Sequence, residues 1–479
     1  MLFTHPKFAL FLIIVFGLYW FASKRSFRLQ NVLLLIASYV FYSFWDWRFT
    51  FLLLFSTVLD FYTGLKIYNS NEQRHKKAWL AVSICINLGV LVFFKYCNFF
   101  LHSFNQSMHL LGYKSDVALL NIILPVGISF YTFHGLSYVL DVYYNKRPPT
   151  NNFIQYALFV SFFPLLVAGP IERATHLLPQ IEKPRQFNYY KAVDGLRQML
   201  WGFFKKLVIA DNCAVYANNI FDNSHYFYGI TLVLGAVMFS FQIYCDFSGY
   251  ADIALGTARL LGFDVVKNFS FPYFSRSVAE FWRRWNISLS TWFRDYLYIP
   301  LGGSRVNLGR KITNVFIVFL LSGLWHGANF TFIAWGCLNA FFILPSIIFK
   351  TNRHHLDTVA QDKLLPSLKE VAQIVATFTL VTFSWIFFRA PSFDEAIFFI
   401  QRIFVKGPVV MPADNRLVLI VLLPLFIFIE WFGRRQNYAI EKFGLQWPRV
   451  VRWCFYSFIV FCIGMYKETH ITPFIYFQF

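Results

Sequence analysis

Long apolar stretches alternate with short polar ones along almost all of this 479-residue chain. A helix needs roughly 17 to 25 mainly apolar residues to cross the hydrocarbon core of a bilayer, and stretches near that length recur from end to end. They predict an all-α polytopic membrane protein with a single transmembrane domain over residues 1–479 and about 10 to 13 transmembrane or re-entrant helices. The stretches lie near residues 8–22, 31–45, 49–68, 78–101, 117–144, 153–170, 198–220, 226–247, 311–327, 329–349, 371–389, 416–433 and 450–467.

The alternation becomes irregular where Pro164, Pro170, Pro179 and Pro184 interrupt it. Broken or re-entrant helices are therefore expected in the part of the chain that follows. Non-helical backbone at membrane depth is tolerated only where protein or water covers it. We therefore expect this part of the chain to contain a buried site.

Composition supports a membrane protein. Hydrophobic residues make up 57% of the chain, aromatic residues 21% and charged residues only 14%, which lies far outside the usual range of soluble domains. The seven cysteines have no C-x-x-C spacing, so they predict neither a metal site nor a disulfide framework.

The formal net charge of +19 indicates cytoplasmic loops and anionic lipid rather than nucleic acid as the partner of the basic residues. Even numbers of proposed spans separate three basic clusters at residues 24–28, 74–77 and 146–147. All three are therefore predicted on the cytoplasmic side, with the N-terminus outside. The first apolar stretch follows no basic cluster and has no convincing cleavage site, so we expect it to stay as the first span.

A tryptophan-rich segment lies in the longest basic connection, Arg259–Lys311, which holds nine Lys or Arg residues. At 100° per residue its apolar side chains form one arc. The pattern predicts a cytoplasmic amphipathic helix over residues 281–299, ended by Pro300 and the glycines that follow. The arc consists of Phe281, Trp282, Trp285, Leu289, Trp292, Phe293, Tyr296 and Leu297.

Asn286 falls inside this apolar arc, whereas Arg284 and Asp295 point the opposite way. Burying an unpaired amide costs about 1 to 3 kcal/mol, so Asn286 is expected to have a hydrogen-bonding role. Arg283 and Arg294 lie at the edge of the arc, where they can meet phosphate. An interfacial helix whose arginines contact lipid headgroups accounts for the arginines as well, but it leaves Asn286 unexplained.

A second polar group, His326, stands in the sequence LSGLWHGANFTFIAW, within a stretch from Ile312 to Phe349 that has no Asp, Glu, Lys or Arg. Residues 311–349 are predicted to form the helices that carry the catalytic residues. The residues three and four positions from His326 include Ser322 and Asn329, which leave a small polar face for a substrate. One alternative is that GLWHG is a G-x-x-x-G packing face and His326 an interhelical hydrogen bonder.

An ionisable group at membrane depth is more often functional than structural. Burial disfavours the charged imidazolium, so the neutral ring of His326 can accept a proton from an attacking hydroxyl. The Asn286 amide can orient that ring or donate to a developing oxyanion. Motifs of serine hydrolases, zinc proteases, phosphate-binding loops and dinucleotide-binding folds do not occur in the sequence.

An acidic pair, Asp246 and Asp252, lies in the apolar sequence YCDFSGYADIALG together with Ser248 and Tyr250. Asp246 and Tyr250 are four positions apart and share a helix face. The pattern favours a local hydrogen-bonded brace, and a position lining a channel is the alternative.

With these residues the chain resembles the membrane-bound O-acyltransferase family, and within it the bacterial alginate O-acetyltransferase branch. The resemblance covers nearly the whole length. Its motifs are LPVGISFYTFHGLSYVLDVY from Leu124, FFPLLVAGPIER from Phe162, FSFQIYCDFSGYADIALGTARLLGF from Phe239, the tryptophan-rich segment, LWHGANFTFIAW from Leu324 and the closing FIYFQF from Phe474.

The resemblance implies a helical bundle around a central channel, with the Trp-His-Gly histidine, here His326, as the catalytic residue. A second polar position of the family corresponds to Asn286, where many close bacterial relatives carry histidine. If that histidine shuttles protons, the role does not transfer, and Asn286 is limited to orientation and hydrogen bonding. Trp325, Ser322 and Asn329 are expected to contact substrate.

The branch implies transfer of acetyl from a cytoplasmic donor, acetyl-CoA, toward hydroxyls of an extracytoplasmic polysaccharide such as alginate. Arg283, with Arg284 or Arg294, would steer the donor phosphates. No bound cofactor and no metal are expected. A periplasmic partner that finishes the transfer and a location in the bacterial inner membrane are implied as well.

Two alternatives stay open. One is D-alanyl transfer from a carrier protein to teichoic acid, within the same family. The other is a transporter of polysaccharide or lipid-linked sugar, in which His326 only relays protons.

Overall fold

The structure is a computed structural model that describes residues 3–23, 26–113, 115, 117–167, 169–409, 418–467 and 474–475. Lys24 and Arg25 of the first basic cluster and residues 476–479 of the closing motif lie outside these residues. The described residues form helices and loops, without a strand. The α-helices are α1 (Pro6–Ser23), α2 (Phe27–Ser43), α3 (Arg48–Asn69), α4 (Gln73–Leu110), α5 (Ile128–Tyr143), α6 (Phe153–Ser161), α7 (Phe163–Leu166), α8 (Ala174–Ile181), α9 (Tyr189–Phe204), α10 (Asp211–Asp222), α11 (Gly229–Leu260), α12 (Val278–Arg284), α13 (Ile287–Phe293), α14 (Leu308–His326), α15 (Phe330–Ile348), α16 (Leu368–Arg389), α17 (Phe393–Ile403), α18 (Leu423–Gly433) and α19 (Arg449–Tyr466).

Within the described residues, seven helices are long and apolar enough to cross a membrane: α3, α4, α11, α14, α15, α16 and α19. Two shorter apolar helices cover Pro6–Ala22 and Ile420–Gly433. The helices confirm the prediction of an all-α, multi-pass membrane protein. Several of the remaining predicted spans are shorter or broken, as described below.

The chain divides into two compact units. Unit 1 comprises residues 1–192 with 257–266, and unit 2 comprises residues 193–256 with 267–479. Every residue predicted for the catalytic or substrate-binding site belongs to unit 2. The single transmembrane domain expected for residues 1–479 stays a prediction.

In unit 1, the buried guanidinium of Arg185 joins the first two helices to the segment after α8. It donates to Asn31 Oδ1 at 2.6 Å, to the Ile181 carbonyl at 3.0 Å and to the Tyr19 hydroxyl at 3.0 Å. The Tyr19 hydroxyl donates in turn to the Leu261 carbonyl at 2.9 Å. An arginine is tolerated there because its guanidinium donates to several oxygen atoms that surround it.

The prediction of one apolar span over residues 117–144 is wrong for its first part, because α5 begins only at Ile128. Two asparagines of α4 supply the hydrogen bonds that a helix would have made. Asn105 accepts from the Val117 amide at 3.1 Å and donates to its carbonyl at 2.9 Å. Asn98 pairs in the same way with Leu120, at 2.9 and 2.8 Å. The two asparagines therefore pair the backbone groups of Val117 and Leu120 within the non-helical segment.

The amphipathic helix predicted over residues 281–299 is also wrong as a continuous element. It divides into α12, α13 and a π-helical turn over Arg294–Tyr298, with the break at Asn286. Asn286 adopts the left-handed conformation, with φ 42° and ψ 56°, which asparagine tolerates better than other side chains that carry a Cβ. Asn268 holds the break by accepting from the Ile287 amide with its carbonyl and from the Ser288 amide with Oδ1, at 2.9 and 3.1 Å.

The span predicted over residues 198–220 is helical throughout, but it contains a π-helical turn at Lys205–Ala210 between α9 and α10. The span predicted over residues 153–170 divides into α6 and α7 at Phe162. There the Phe163 amide donates to the Ser38 hydroxyl at 3.1 Å. Breaks in helices therefore do occur where the sequence becomes irregular.

Helices α14 and α15 form an antiparallel hairpin that is packed through glycine. A Cβ at Gly323 would lie 2.3 Å from the Phe332 carbonyl oxygen, and a Cβ at Gly336 would lie 2.5 Å from the Phe319 carbonyl oxygen. A Cβ at Gly327 would lie 2.1 Å from the Phe332 ring. The packing role of the glycines in GLWHG is therefore real, and it fixes the helix end that carries His326.

We expect alanine at Gly323 or Gly336 to lower the free energy of unfolding by about 1 to 3 kcal/mol, because the added methyl group overlaps the backbone of the facing helix. Gly89→Ala is the matched control, since a Cβ at Gly89 meets no atom within 4 Å. That change is expected to be neutral or stabilising. Unfolding in mixed detergent micelles measures all three variants, and equal losses at Gly323 and Gly89 would contradict the close packing.

Candidate active site

His326 is the last residue of α14 and is only 4% exposed. Aromatic rings surround its imidazole. The ring centroids of Trp325, Trp335 and Phe388 lie 4.9, 5.1 and 5.3 Å from that of His326, all in edge-on arrangements. These rings exclude water from most of the imidazole surface.

Asn286 is 3% exposed and caps α13 only through its backbone, since its side chain makes no capping hydrogen bond. Its carbonyl accepts from the Ser290 amide at 3.0 Å. The main chain of Asn286 thus caps α13 at the break, and the residue also lines the neighbouring cavity.

A cavity of about 330 Å³ brings His326 and Asn286 to one site. Ser322, Arg283 and Arg294 line it too, so five of the eight residues singled out from the sequence meet there. The other lining residues are Ala279, Trp282, Trp285, Leu289, Ser290, Phe293, Tyr298, Lys311, Val315, Val318, Phe319, Ile343, Ile347, Asn352 and Arg353.

Three expected residues are outside this lining. Arg284 binds Glu280 at 2.9 Å and the Asp357 carbonyl at 2.7 Å. Asn329 caps α15 by accepting from the Thr331 amide and donates to the Pro391 carbonyl. Trp325 packs against the imidazole instead of facing the cavity. The structure therefore places these three residues outside the cavity lining, and the substrate contacts expected for them stay a prediction.

Four cations line the cavity, Arg283, Arg294, Lys311 and Arg353, and no carboxylate is among the lining residues. Arg294 is paired with the adjacent Asp295 at 2.7 Å. Sequence reasoning missed Lys311 and Arg353. Lys311 could have been found, because the face of α14 that ends at His326 passes back through Ser322, Val318 and Val315 to Lys311 at helical spacing. Arg353 lies in the loop after α15 and had no periodic signal.

Arginine side chains hold the loop between α15 and α16 beside the cavity. Arg283 donates to the carbonyls of Asn352 and His355 at 2.5 and 2.6 Å. Arg276 binds the Asp357 carboxylate at 2.9 Å, and its hydrogen bonds hold the pKa of Asp357 below the ordinary value of 3.8. This loop therefore positions Arg353 at the cavity.

The acidic pair of α11 belongs to a separate buried network. Lys206 of the π-helical turn binds Asp246 and Asp211, both at 2.8 Å. Its neighbour Lys205 binds Asp252 at 2.6 Å. Neither Asp246 nor Asp252 lines the cavity of His326, so the geometry favours the brace over the channel alternative.

The same network anchors the described part of the C-terminal motif. The Ile475 amide donates to Asp246 Oδ2 at 2.8 Å. The Phe474 ring packs on Tyr250 and Phe247, with centroids 4.5 and 5.8 Å apart. The closing motif is therefore attached to the brace in the core of unit 2.

The model of the membrane-bound O-acyltransferase family matches residues 144–388 of this chain. The chain is 40% identical over 437 residues to the probable alginate O-acetylase of Pseudomonas aeruginosa, covering 90% of this chain and 80% of that protein. It is 37% identical to the peptidoglycan O-acetyltransferase of Helicobacter pylori, covering 76% of this chain and 72% of that protein. A teichoic acid D-alanyltransferase of Bacillus subtilis is 28% identical, covering 57% of this chain and 71% of that protein.

This chain belongs to the membrane-bound O-acyltransferase family. Its fold and its family define it as a multi-pass membrane enzyme that transfers acyl groups. The resemblance seen in the sequence is thereby confirmed, and the transporter alternative loses its support.

We expect Lys206→Met to lower the free energy of unfolding by about 3 to 5 kcal/mol, because it leaves two buried carboxylates without their cation. Lys191→Met is the control. Its ion pair with Asp264 has side chains 50% and 61% exposed, so its loss is expected to cost at most about 1 kcal/mol. Detergent unfolding of both variants tests the difference, and a Lys206→Met protein as stable as the control would contradict a supporting role for the network.

Proposed function

We propose that the enzyme transfers acetyl from cytoplasmic acetyl-CoA toward hydroxyls of an extracytoplasmic polysaccharide such as alginate. The single observation that carries this proposal is the shared cavity, which has a cationic end without carboxylates and reaches His326 and Asn286. An acyl donor with an anionic end and a distant acyl end matches those two features.

The length of the cavity fits such a donor. Its α14 wall runs from Lys311 to His326, fifteen positions apart, which at 1.5 Å per residue is roughly 22 Å. Phosphates would lie near Lys311, Arg353 and Arg283, where cations and planar guanidinium groups bind them. The thioester would then extend along the apolar wall to the imidazole.

The proposed chemistry uses the two polar side chains in the cavity, His326 and Asn286. Neutral His326 takes the proton from the attacking hydroxyl as its oxygen bonds to the thioester carbonyl carbon. The Asn286 carboxamide donates to the oxyanion that forms. When the carbon–sulfur bond breaks, the proton passes from His326 to the departing sulfur. The aromatic rings around the imidazole limit hydrolysis of the donor by excluding water.

The direction of transfer follows from charge. Basic residues crowd the connections that precede α14 and follow α15, which supports a cytoplasmic location for these helix ends by the positive-inside rule. His326 lies at the opposite end of α14, so the acyl group would move away from the cytoplasm. We therefore propose an inner-membrane location and a periplasmic partner that completes transfer to the glycan.

Alginate is favoured as acceptor by the relatives named as alginate O-acetylases, which are 36% to 40% identical. D-alanyl transfer to teichoic acid is the second candidate, supported by the Bacillus subtilis relative. A carrier protein would present a phosphorylated arm with the same sign of charge as the acetyl donor, so the cationic cavity fits both donors. Purified enzyme supplied with either donor distinguishes them by the acyl group released.

We expect His326→Ala to lower the acyl-transfer rate by about 10² to 10⁴-fold, because it removes the general base. His75→Ala is the control, since that side chain is 65% exposed at the start of α4. Acetyl transfer by purified, correctly inserted protein is the measurement. A normal rate in His326→Ala would refute the catalytic assignment.

Replacing Asn286 with alanine is expected to lower kcat by about 10² to 10³-fold through loss of the oxyanion donor. Asn286→Gly is the informative partner variant, because glycine keeps the left-handed backbone without strain and also lacks the amide. If Asn286→Gly retains full kcat, the side chain contributes only to the shape of the break.

Lys311→Gln and Arg353→Gln are each expected to raise KM for acetyl-CoA about tenfold, because a charge-assisted hydrogen bond contributes about 1.5 to 3 kcal/mol. The KM for S-acetyl-pantetheine, which lacks the nucleotide phosphates, should change little. Lys442→Gln is the control, since this exposed lysine is remote from the lining residues. Equal increases in KM for acetyl-CoA and S-acetyl-pantetheine would contradict a contact between these two cations and the nucleotide phosphates of the donor.

A further inference from the structure

Unit 2 has a second cavity, of about 220 Å³, between α11, α16, α18 and the short turn Pro272–Phe274. No residue lines both this cavity and the one that contains His326. One corner is formed by three rings: the Tyr273 centroid lies 5.9 Å from that of Phe241 and 5.1 Å from that of Phe378. The rings give the cavity rigid apolar walls.

The polar atoms in these walls are engaged by the protein itself. Glu430 accepts from the Tyr244 hydroxyl at 2.6 Å and from Trp201 Nε1 at 3.0 Å. The Tyr273 hydroxyl donates to the Ser240 carbonyl at 2.5 Å. A sugar, nucleotide or peptide would therefore bury polar groups without partners, at a cost in free energy. Only hydrocarbon matches the surface that the cavity offers.

The cavity opens beside α16, where Val375 lines it and is 57% exposed. Helix α16 is long and apolar enough to cross a membrane, and α18 lies in the apolar helix Ile420–Gly433. The exposed surface between two such helices faces the hydrocarbon of the bilayer rather than water. A lipid chain therefore has direct access to the cavity.

The depth of the cavity and the nearby charges indicate which part of the lipid enters. Ile374 lines the cavity six positions after the start of α16 at Leu368, which is roughly 9 Å along the helix. Glu430 lies three positions before the end of α18 at Gly433. Exposed Lys369 and Arg435 stand at these same helix ends, where cations meet lipid phosphates. One nitrogen of the Arg435 guanidinium donates to the carbonyls of Ala360 and Lys363, both at 3.0 Å.

We propose that this cavity binds one acyl chain of a cytoplasmic-leaflet phospholipid, with the lipid phosphate against Lys369 and Arg435. The bound chain fills the space between α16 and the rings of α11. Because the site shares no lining residue with the acetyl-transfer cavity, it stands or falls independently of the proposed function.

The test uses full-length protein in nanodiscs that contain phosphatidylglycerol with a diazirine at the end of one acyl chain. After illumination, peptide mass spectrometry maps the labelled residues. The expected labels include Phe241 and Phe271, which line the cavity behind α16. Labels confined to Val375 and other exposed residues of α16 would show general lipid contact only and would overturn the proposal.

Cavity-filling variants from two walls, Ile374→Trp and Ile427→Trp, are expected to reduce the label at Phe241 several-fold. Leu380→Trp is the matched control, because Leu380 is 39% exposed on the same helix but does not line the cavity. Lys369→Gln should lower labelling by phosphatidylglycerol at the same site. Unchanged labelling of Phe241 in both filled variants would likewise overturn the proposal.

Discussion

The arrangement depends on hydrogen-bond partners for backbone groups at the places where the helices of this chain are interrupted in apolar surroundings. Unpaired amides and carbonyls are costly at membrane depth, so each break needs a substitute partner. Asn98 and Asn105 supply it for the segment before α5, and Asn268 supplies it at the break beside Asn286. Without the hydrogen bonds from Asn268, residues 281–299 would be expected to continue as one helix, and the Asn286 side chain would point in another direction.

Charge in unit 2 is divided between two places with opposite character. Around Lys205 and Lys206 the carboxylates of α10 and α11 neutralise the buried cations at distances of 2.6 to 2.8 Å. At the cavity of His326 the cations have no carboxylate among the lining residues. The first arrangement stabilises structure, because each buried charge meets its opposite. The second arrangement leaves positive potential beside the cavity, along an α14 wall that ends at His326.

The glycine contacts between α14 and α15 connect fold to chemistry. Gly323 and Gly336 let each helix approach the backbone of the other, which fixes His326 among the rings of Trp335 and Phe388. Packing and catalysis were alternatives when only the sequence GLWHG was considered. In the structure the glycines face the partner helix while His326 lines the cavity, so the packing role of the glycines is compatible with the catalytic role proposed for the histidine.

The sequence by itself determined the all-helical membrane class, the family and the two polar groups His326 and Asn286, because apolar run length and rare buried polar residues are local signals. It misjudged residues 117–127 and 281–299, where side chains distant in sequence replace helical hydrogen bonds, and periodicity contains no record of such partners. Arg284 and Asn329, which were expected at the substrate, contact a carboxylate, a helix end and loop carbonyls and do not line the cavity. Lys311 lies on the helix face of His326 and was within reach of the sequence pattern, because that spacing is local. Arg353 joins the site only through tertiary structure, since it lies in a loop that arginines hold in place.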